Sequence, residues 1–247
     1  MYYRALQSLR SLTRVENERA LRFARQAISL DPKFAAAYGV ALACYSHRHD
    51  QNWINDDDVA EGKKYVVRAV EVGADDAFAL SWAAHFAGTI LNDPRTNDTI
   101  ADQAIAVNPN LSVAWRIRAW ASGRLGRHEL ALQQFHYAMR LNPLDPDTFR
   151  AEAGLAFTHF YLRRFDDALS WVTKSLARQK DFGPALRMAM FSYSMLGRID
   201  EAQMMLARLR EAGAVMTISQ VVKHSAYNRK EDVELRIEAC RIIGMPE

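Results

Sequence analysis

The sequence predicts an all-α solenoid, a right-handed superhelix of antiparallel helix pairs finished by C-terminal capping helices. Three observations predict it. Hydrophobic residues fill 49% of the 247 positions and charged residues 25%, a globular composition. Only 11 Gly and 7 Pro punctuate the chain, too few turn signals for a β-sandwich or barrel of this length. A spacing of small residues also returns at intervals near 34 residues.

That spacing is a ladder with steps of four, three and five. It is clearest at Ala131, Phe135, Ala138 and Pro143, and again at Ala20, Ala24, Ala27 and Pro32. Further copies run through Gly62, Val66, Ala69 and Ala74, through Asn97, Ala101, Ala104 and Pro109, through Ala168, Val172, Ser175 and Lys180, and through Ala202, Leu206, Leu209 and Ala214. The ladder ends are 42, 35, 34, 37 and 34 residues apart. A 34-residue helix–turn–helix period is the tetratricopeptide-repeat (TPR) signature, so residues 1–214 read as about six repeats. Steps of three and four place the small residues on one face of the second helix, where they admit a close neighbour. Proline after the ladder stops that helix.

The remaining elements follow in order. Tyr38 with Tyr45, Leu80 with Ala84, Trp115 with Ala119, and Leu186 with Tyr193 take matching places on the first helices. Gly126 and Gly197 fall at turns between paired helices, where a positive φ is expected. The second repeat is longer, and HRHDQNWINDDD (residues 47–58) reads as a surface loop with Asp56, Asp57 or Asp58 capping the next helix. In the third, Asn97 replaces the usual alanine and LNDPRTND reads as a distorted turn. Residues 215–228 read as a continuing helix, followed by one whose stripe is Val233, Ile237, Cys240 and Ile243. Residues 215–247 are thus expected to be a cap on a single solenoid domain, 1–247.

Several function classes fall away. With 32 Lys and Arg against 29 Asp and Glu, the net charge of +3 is too balanced to announce a nucleic-acid binder from charge alone. Cys44 and Cys240 are too far apart to frame a disulfide fold and suit a reducing, cytoplasmic setting. No apolar run approaches the ~20 residues of a membrane span, and the start carries no signal-peptide core. His47, His49 and Asp50 alternate within one short segment and complete no metal shell. His85, His128, His136, His159 and His224 are scattered, with no nucleophile motif, and no glycine-rich phosphate loop is present. No catalytic residue, metal or cofactor is therefore assigned, and a non-catalytic binding module is expected.

Its groove should be lined by the first helix of each pair. Counting along one face from each ladder end gives Phe78 and His85, then Arg116, Trp120 and Arg124, then Arg150, Phe157 and Tyr161, then Arg187 and Phe191. Arginine and aromatic residues alternate there, and these types dominate binding hot spots. The aromatics serve equally well as packing between repeats, so both readings stand for them. A protein or peptide partner with acidic and apolar side chains is expected. RNA contact through the arginines is the alternative, although no code-like pattern repeats in every unit. Solenoid ends also lend themselves to self-association, which leaves a homo-oligomer open.

Five segments carry a narrower resemblance: AISLDPKFAAAY, VEVGADDAFAL, AIAVNPNLSVAW, AMRLNPLDPDTF and EACRIIGMPE, together with the long second repeat that holds Trp53. They resemble the C-terminal TPR region of bacterial class III adenylate cyclases and of related winged-helix transcriptional regulators. The resemblance implies a regulatory part of a longer signalling protein, with its own catalytic domain as one partner. Repeats and cap use the whole of 1–247, leaving no room for a cyclase fold. Asp56, Asp57 and Asp58 abut a helix start, so they are not read as cyclase metal carboxylates.

Overall fold

The computed structural model describes residues 1–9, 11, 13–214, 216–223 and 229–247. Among them are fourteen helices and no strand: α1 (Tyr2–Leu9), α2 (Arg14–Leu30), α3 (Ala35–Asp50), α4 (Asp56–Val72), α5 (Ala77–Thr89), α6 (Pro94–Val107), α7 (Ser112–Arg124), α8 (His128–Leu141), α9 (Thr148–Tyr161), α10 (Phe165–Arg178), α11 (Gly183–Met195), α12 (Ile199–Glu211), α13 (Ile218–Lys223) and α14 (Lys230–Ile242). The chain divides into two compact units, residues 1–121 and 122–247.

Each unit shows the packing of an α-solenoid. In the first, α2 packs on α1 and α3, α4 on α3 and α5, and α6 on α5, while α3 also touches α1 and α5. In the second, α8 packs on α9, α10 on α9 and α11, and α12 on α11, while α9 also touches α11. The six ladders fall on α2, α4, α6, α8, α10 and α12, and their first three rungs are all buried. The reason for small rungs is visible at two glycines. A Cβ on Gly154 would lie 2.1 Å from Cζ of the rung Phe135, and one on the rung Gly62 would lie 2.2 Å from Cζ of Phe86. Helices this close leave no room for a methyl group. Where a rung is polar, it finds a partner across the pair: Ser175 Oγ donates to the Phe149 carbonyl at 2.8 Å.

The irregular repeats resolve into specific contacts. Asn97 occupies its rung fully buried, and the opposing residue is Gly88, whose added Cβ would meet the Asn97 amide at 2.2 Å. The preceding turn is ended by Asp93, which caps α6 by accepting from the amides of Arg95 and Thr96, with Pro94 in the first turn. In the second repeat the expected twelve-residue loop shrinks to 51–55, because α3 continues through Asp50. Arg48 fixes that extension. Its Nη1 donates to both oxygens of Asp58 at 2.8 and 3.0 Å, and its Nε to Asn17 Oδ1 at 2.8 Å. The cap of α4 is Asn55, one residue before the aspartate run, and Asp58 closes a capping box with it.

Gly126 and Gly197 do adopt positive φ, +77° and +71°. The equivalent turn between α9 and α10 has Arg163 at +57°. In the tail, the segment expected to run as one helix from 215 to 228 forms α13 over 218–223. Residues 215 and 224–228, His224 included, lie outside the described residues. After α14 the chain returns on α13, where the Ile218 amide donates to the Pro246 carbonyl at 2.8 Å.

Candidate functional site

In the first unit the sequence singles out Phe78, His85, Arg116 and Trp120. His85 and Arg116 are buried, and Phe78 and Trp120 are half-buried. Trp82 of α5, which the ladder count passes over, joins Phe78, His85 and Arg116. Its ring meets His85 edge-on at 5.6 Å, Phe78 at 6.4 Å and His47 at 6.2 Å, and the Arg116 guanidinium lies 5.8 Å from its centroid. This is a cation held over an aromatic face out of water, where such contacts are strongest. Cys44 is a packing residue in this unit: burial pushes its thiol up to about 12.

A polar node ties three helices of the same unit, α2, α3 and α4. Glu61 of α4 accepts from Tyr65 at 2.7 Å, from Arg25 Nε at 3.1 Å, and from Tyr45. Burial and the hydrogen bond to Glu61 hold the Tyr45 phenol well above its ordinary value. Burial works against the Glu61 charge, but the hydrogen bonds from Arg25, Tyr45 and Tyr65 outweigh it and hold the carboxyl below the glutamate range.

In the second unit the expected residues are Arg124, Arg150, Phe157, Tyr161, Arg187 and Phe191. Arg124 and Arg187 are half-buried and the others buried. Arg150 sits between Phe149 and Phe182, 5.1 and 5.3 Å from their centroids, with its Nε 3.8 Å from Asp147. Phe157 packs on Gly123, where an added Cβ would stand 2.8 Å from its ring, and meets Tyr161 at 4.8 Å. Tyr161 stacks on His128 at 5.3 Å, 9° from parallel.

The last helix joins this cluster. Helix α14, which reads from sequence as a cap, packs against α11. His128 Nε2 donates to Asp232 at 3.1 Å, both residues being buried. Arg236 lies 5.2 Å over the ring of Phe191, which is fully enclosed. The stem of Arg229 runs so close to Gly126 that a Cβ there would be 2.0 Å away. Beside this contact a recess of about 340 Å³ opens between the 126–130 turn, Leu162 and Arg229. Asp232 and Arg236 therefore join the candidate residues, and sequence reasoning missed them. Their one signal is their i, i+4 spacing, one position off the apolar stripe. Val233 and Ile237 of that stripe are only half-buried.

No protein-family model matches the chain, and neither does any curated protein. Solved structures do. It is similar to PilW, described as a widely conserved type IV pilus biogenesis factor, with a TM-score of 0.55 and 21% identity over 79% of this chain and 86% of that one. It is similar to pilF of Pseudomonas aeruginosa, at 0.54 and 16% over 84% of this chain and 88% of that one. A tetratricopeptide repeat protein from Parabacteroides merdae aligns at 0.52 and 14% over 96% of this chain and 98% of that one. These likenesses and the buried ladders agree on one architecture: the chain has the TPR-type α-solenoid fold.

Proposed function

We propose that the chain is a non-catalytic protein–protein interaction scaffold, cytoplasmic, which holds a peptide or partner domain against the faces of its first helices. The observation that carries this reading is in the second unit. His128 at the start of α8 and Phe191 of α11 each receive a side chain from a helix that is not part of the ladder stack. Arginine–aromatic contacts at Trp82, Phe149 and Phe182 supply the residue types that interfaces favour. Among the described residues no helix is long and apolar enough to cross a membrane.

The parent protein of this reading is a longer bacterial signalling chain. The five segments from AISLDPKFAAAY to EACRIIGMPE resemble TPR tails of class III adenylate cyclases, and the partner is then the chain's own catalytic domain. Two measurements test the proposal. Arg187→Glu, on a half-buried position, should cut recovery of cross-linked partner at least about tenfold while the melting temperature holds. Unchanged recovery removes Arg187 from the site. With ATP and magnesium, a longer chain carrying a cyclase domain should form cyclic AMP, and residues 1–247 none. Product from residues 1–247 overturns the non-catalytic reading.

A further inference from the structure

Helix α14 is held differently from α12, its neighbour on α11, which buries Ala202, Leu206 and Leu209. The side chains that α14 buries are Asp232, Leu235, Arg236, Ala239 and Cys240. Two of the five are charged. Buried charges contribute little to stability compared with apolar groups of the same volume, yet they fix orientation and partner choice. A carboxylate on a histidine and an arginine on an enclosed aromatic ring are contact types that interfaces favour, and here both come from one helix outside the ladder stack.

The place of these contacts adds a second argument. Asp232 reaches the start of α8 in the fourth repeat, and Arg236 reaches α11 in the sixth, so α14 contacts repeats two apart. Its anchors fall four residues apart, one helical turn, followed by the small side chains of Ala239 and Cys240 on the same face. An amphipathic helix laid into a groove with anchors at i, i+4 and i+7 is a general mode of peptide recognition.

We propose that α14 is an internal ligand of the second unit, and that the external partner is a helix of the same chemistry. That helix carries an acidic residue for His128, an arginine four positions later for Phe191, and small side chains seven or eight positions after the acid. This rests on the scaffold reading above and names the partner's chemistry at that face. Release of α14 frees the face, and docking of α14 closes it.

The probe is a labelled peptide of residues 229–247, and the protein is the full chain. Native-state hydrogen exchange on the unmodified chain should show the amides of α14 exchanging at least about 100-fold faster than those of α11, through local opening. Equal protection of α14 and α11 overturns the proposal. In a chain carrying Asp232→Ala and Arg236→Ala, the peptide should bind at least about tenfold tighter than to the unmodified chain, because the face is vacated. The same peptide with both substitutions should lose that binding. A double variant that keeps the protection of α11 but binds no peptide overturns the proposal, as does one in which α11 loses protection together with α14. The scaffold reading fails separately: it falls if residues 1–247 form cyclic AMP from ATP and magnesium, whatever the peptide does.

Discussion

Helices α12 and α14 both pack on α11, and they do so by opposite means. The first inserts an alanine and two leucines, with no charge in its buried face. The second inserts an aspartate and an arginine, which meet a histidine and a phenylalanine. The α12 contact is of the kind that makes a helix part of a cooperative core, since apolar burial is non-directional and adds with area. The α14 contact depends on a few directed groups. Two neighbours of one helix thus illustrate the difference between a fold contact and a binding contact.

The largest test of this comparison is on the ladder side. Phe135→Ala removes a fully buried rung that fills the space left by Gly154, and should cost about 4 kcal/mol. Denaturant titration followed at Trp171 would show it as an early loss of the second unit. A cost under about 1 kcal/mol would mean that the ladders do not carry the core.

Cysteine labelling compares the two kinds of contact directly. Burial pushes the Cys44 thiol up to about 12 and the Cys240 thiol up to about 11, so both need opening before they react. Cys240 on α14 should react with a disulfide reagent about 100-fold faster than Cys44 in the native chain. Equal rates would erase the distinction between docked helix and stack.

A third test asks whether polar contacts inside the stack behave like those of α14. Glu61→Gln should cost about 1–2 kcal/mol at neutral pH, since Arg25, Tyr45 and Tyr65 all converge on the carboxylate. The Glu61 carboxyl is held below its ordinary value, so its contribution is present above the unfolded value. It is lost as pH falls through the folded one. The difference between the variant and the parent chain should therefore shrink on acidification, in melting curves taken from neutral to acid pH. The smallest effect is a gain: Arg163→Gly relieves a left-handed backbone at φ +57° and should add about 1 kcal/mol, seen as a modest rise in melting temperature.

How far the sequence carried depended on the range of the contact. Ladder rungs such as Ala20, Ala131 and Ala202 follow from a spacing within one helix, and burial matches it at each. The turns at Gly126 and Gly197 are local as well. Asn55 and Arg48 were missed because a cap and a tie across α2, α3 and α4 depend on where the helix ends meet. Counting along a face singles out Phe157, Tyr161 and Phe191 as candidates, yet it does not show that Phe157 leans on Gly123 or that Tyr161 stacks on His128. Asp232 and Arg236 read as the polar side of an amphipathic helix. The partners that bury them, His128 and Phe191, lie 104 and 45 residues away, and no local pattern encodes such a meeting.

The short connection between α13 and α14 has a quantitative consequence. Six residues separate Lys223 from Lys230. A helix tethered so closely presents itself to its own face at an effective concentration on the order of millimolar. A free helix with the same intrinsic affinity would have to reach that concentration to displace it by half. The face would then ignore weak, abundant amphipathic segments and respond only to one held nearby or bound more tightly. The tether sets a threshold, and the contacts of Asp232 and Arg236 set its height.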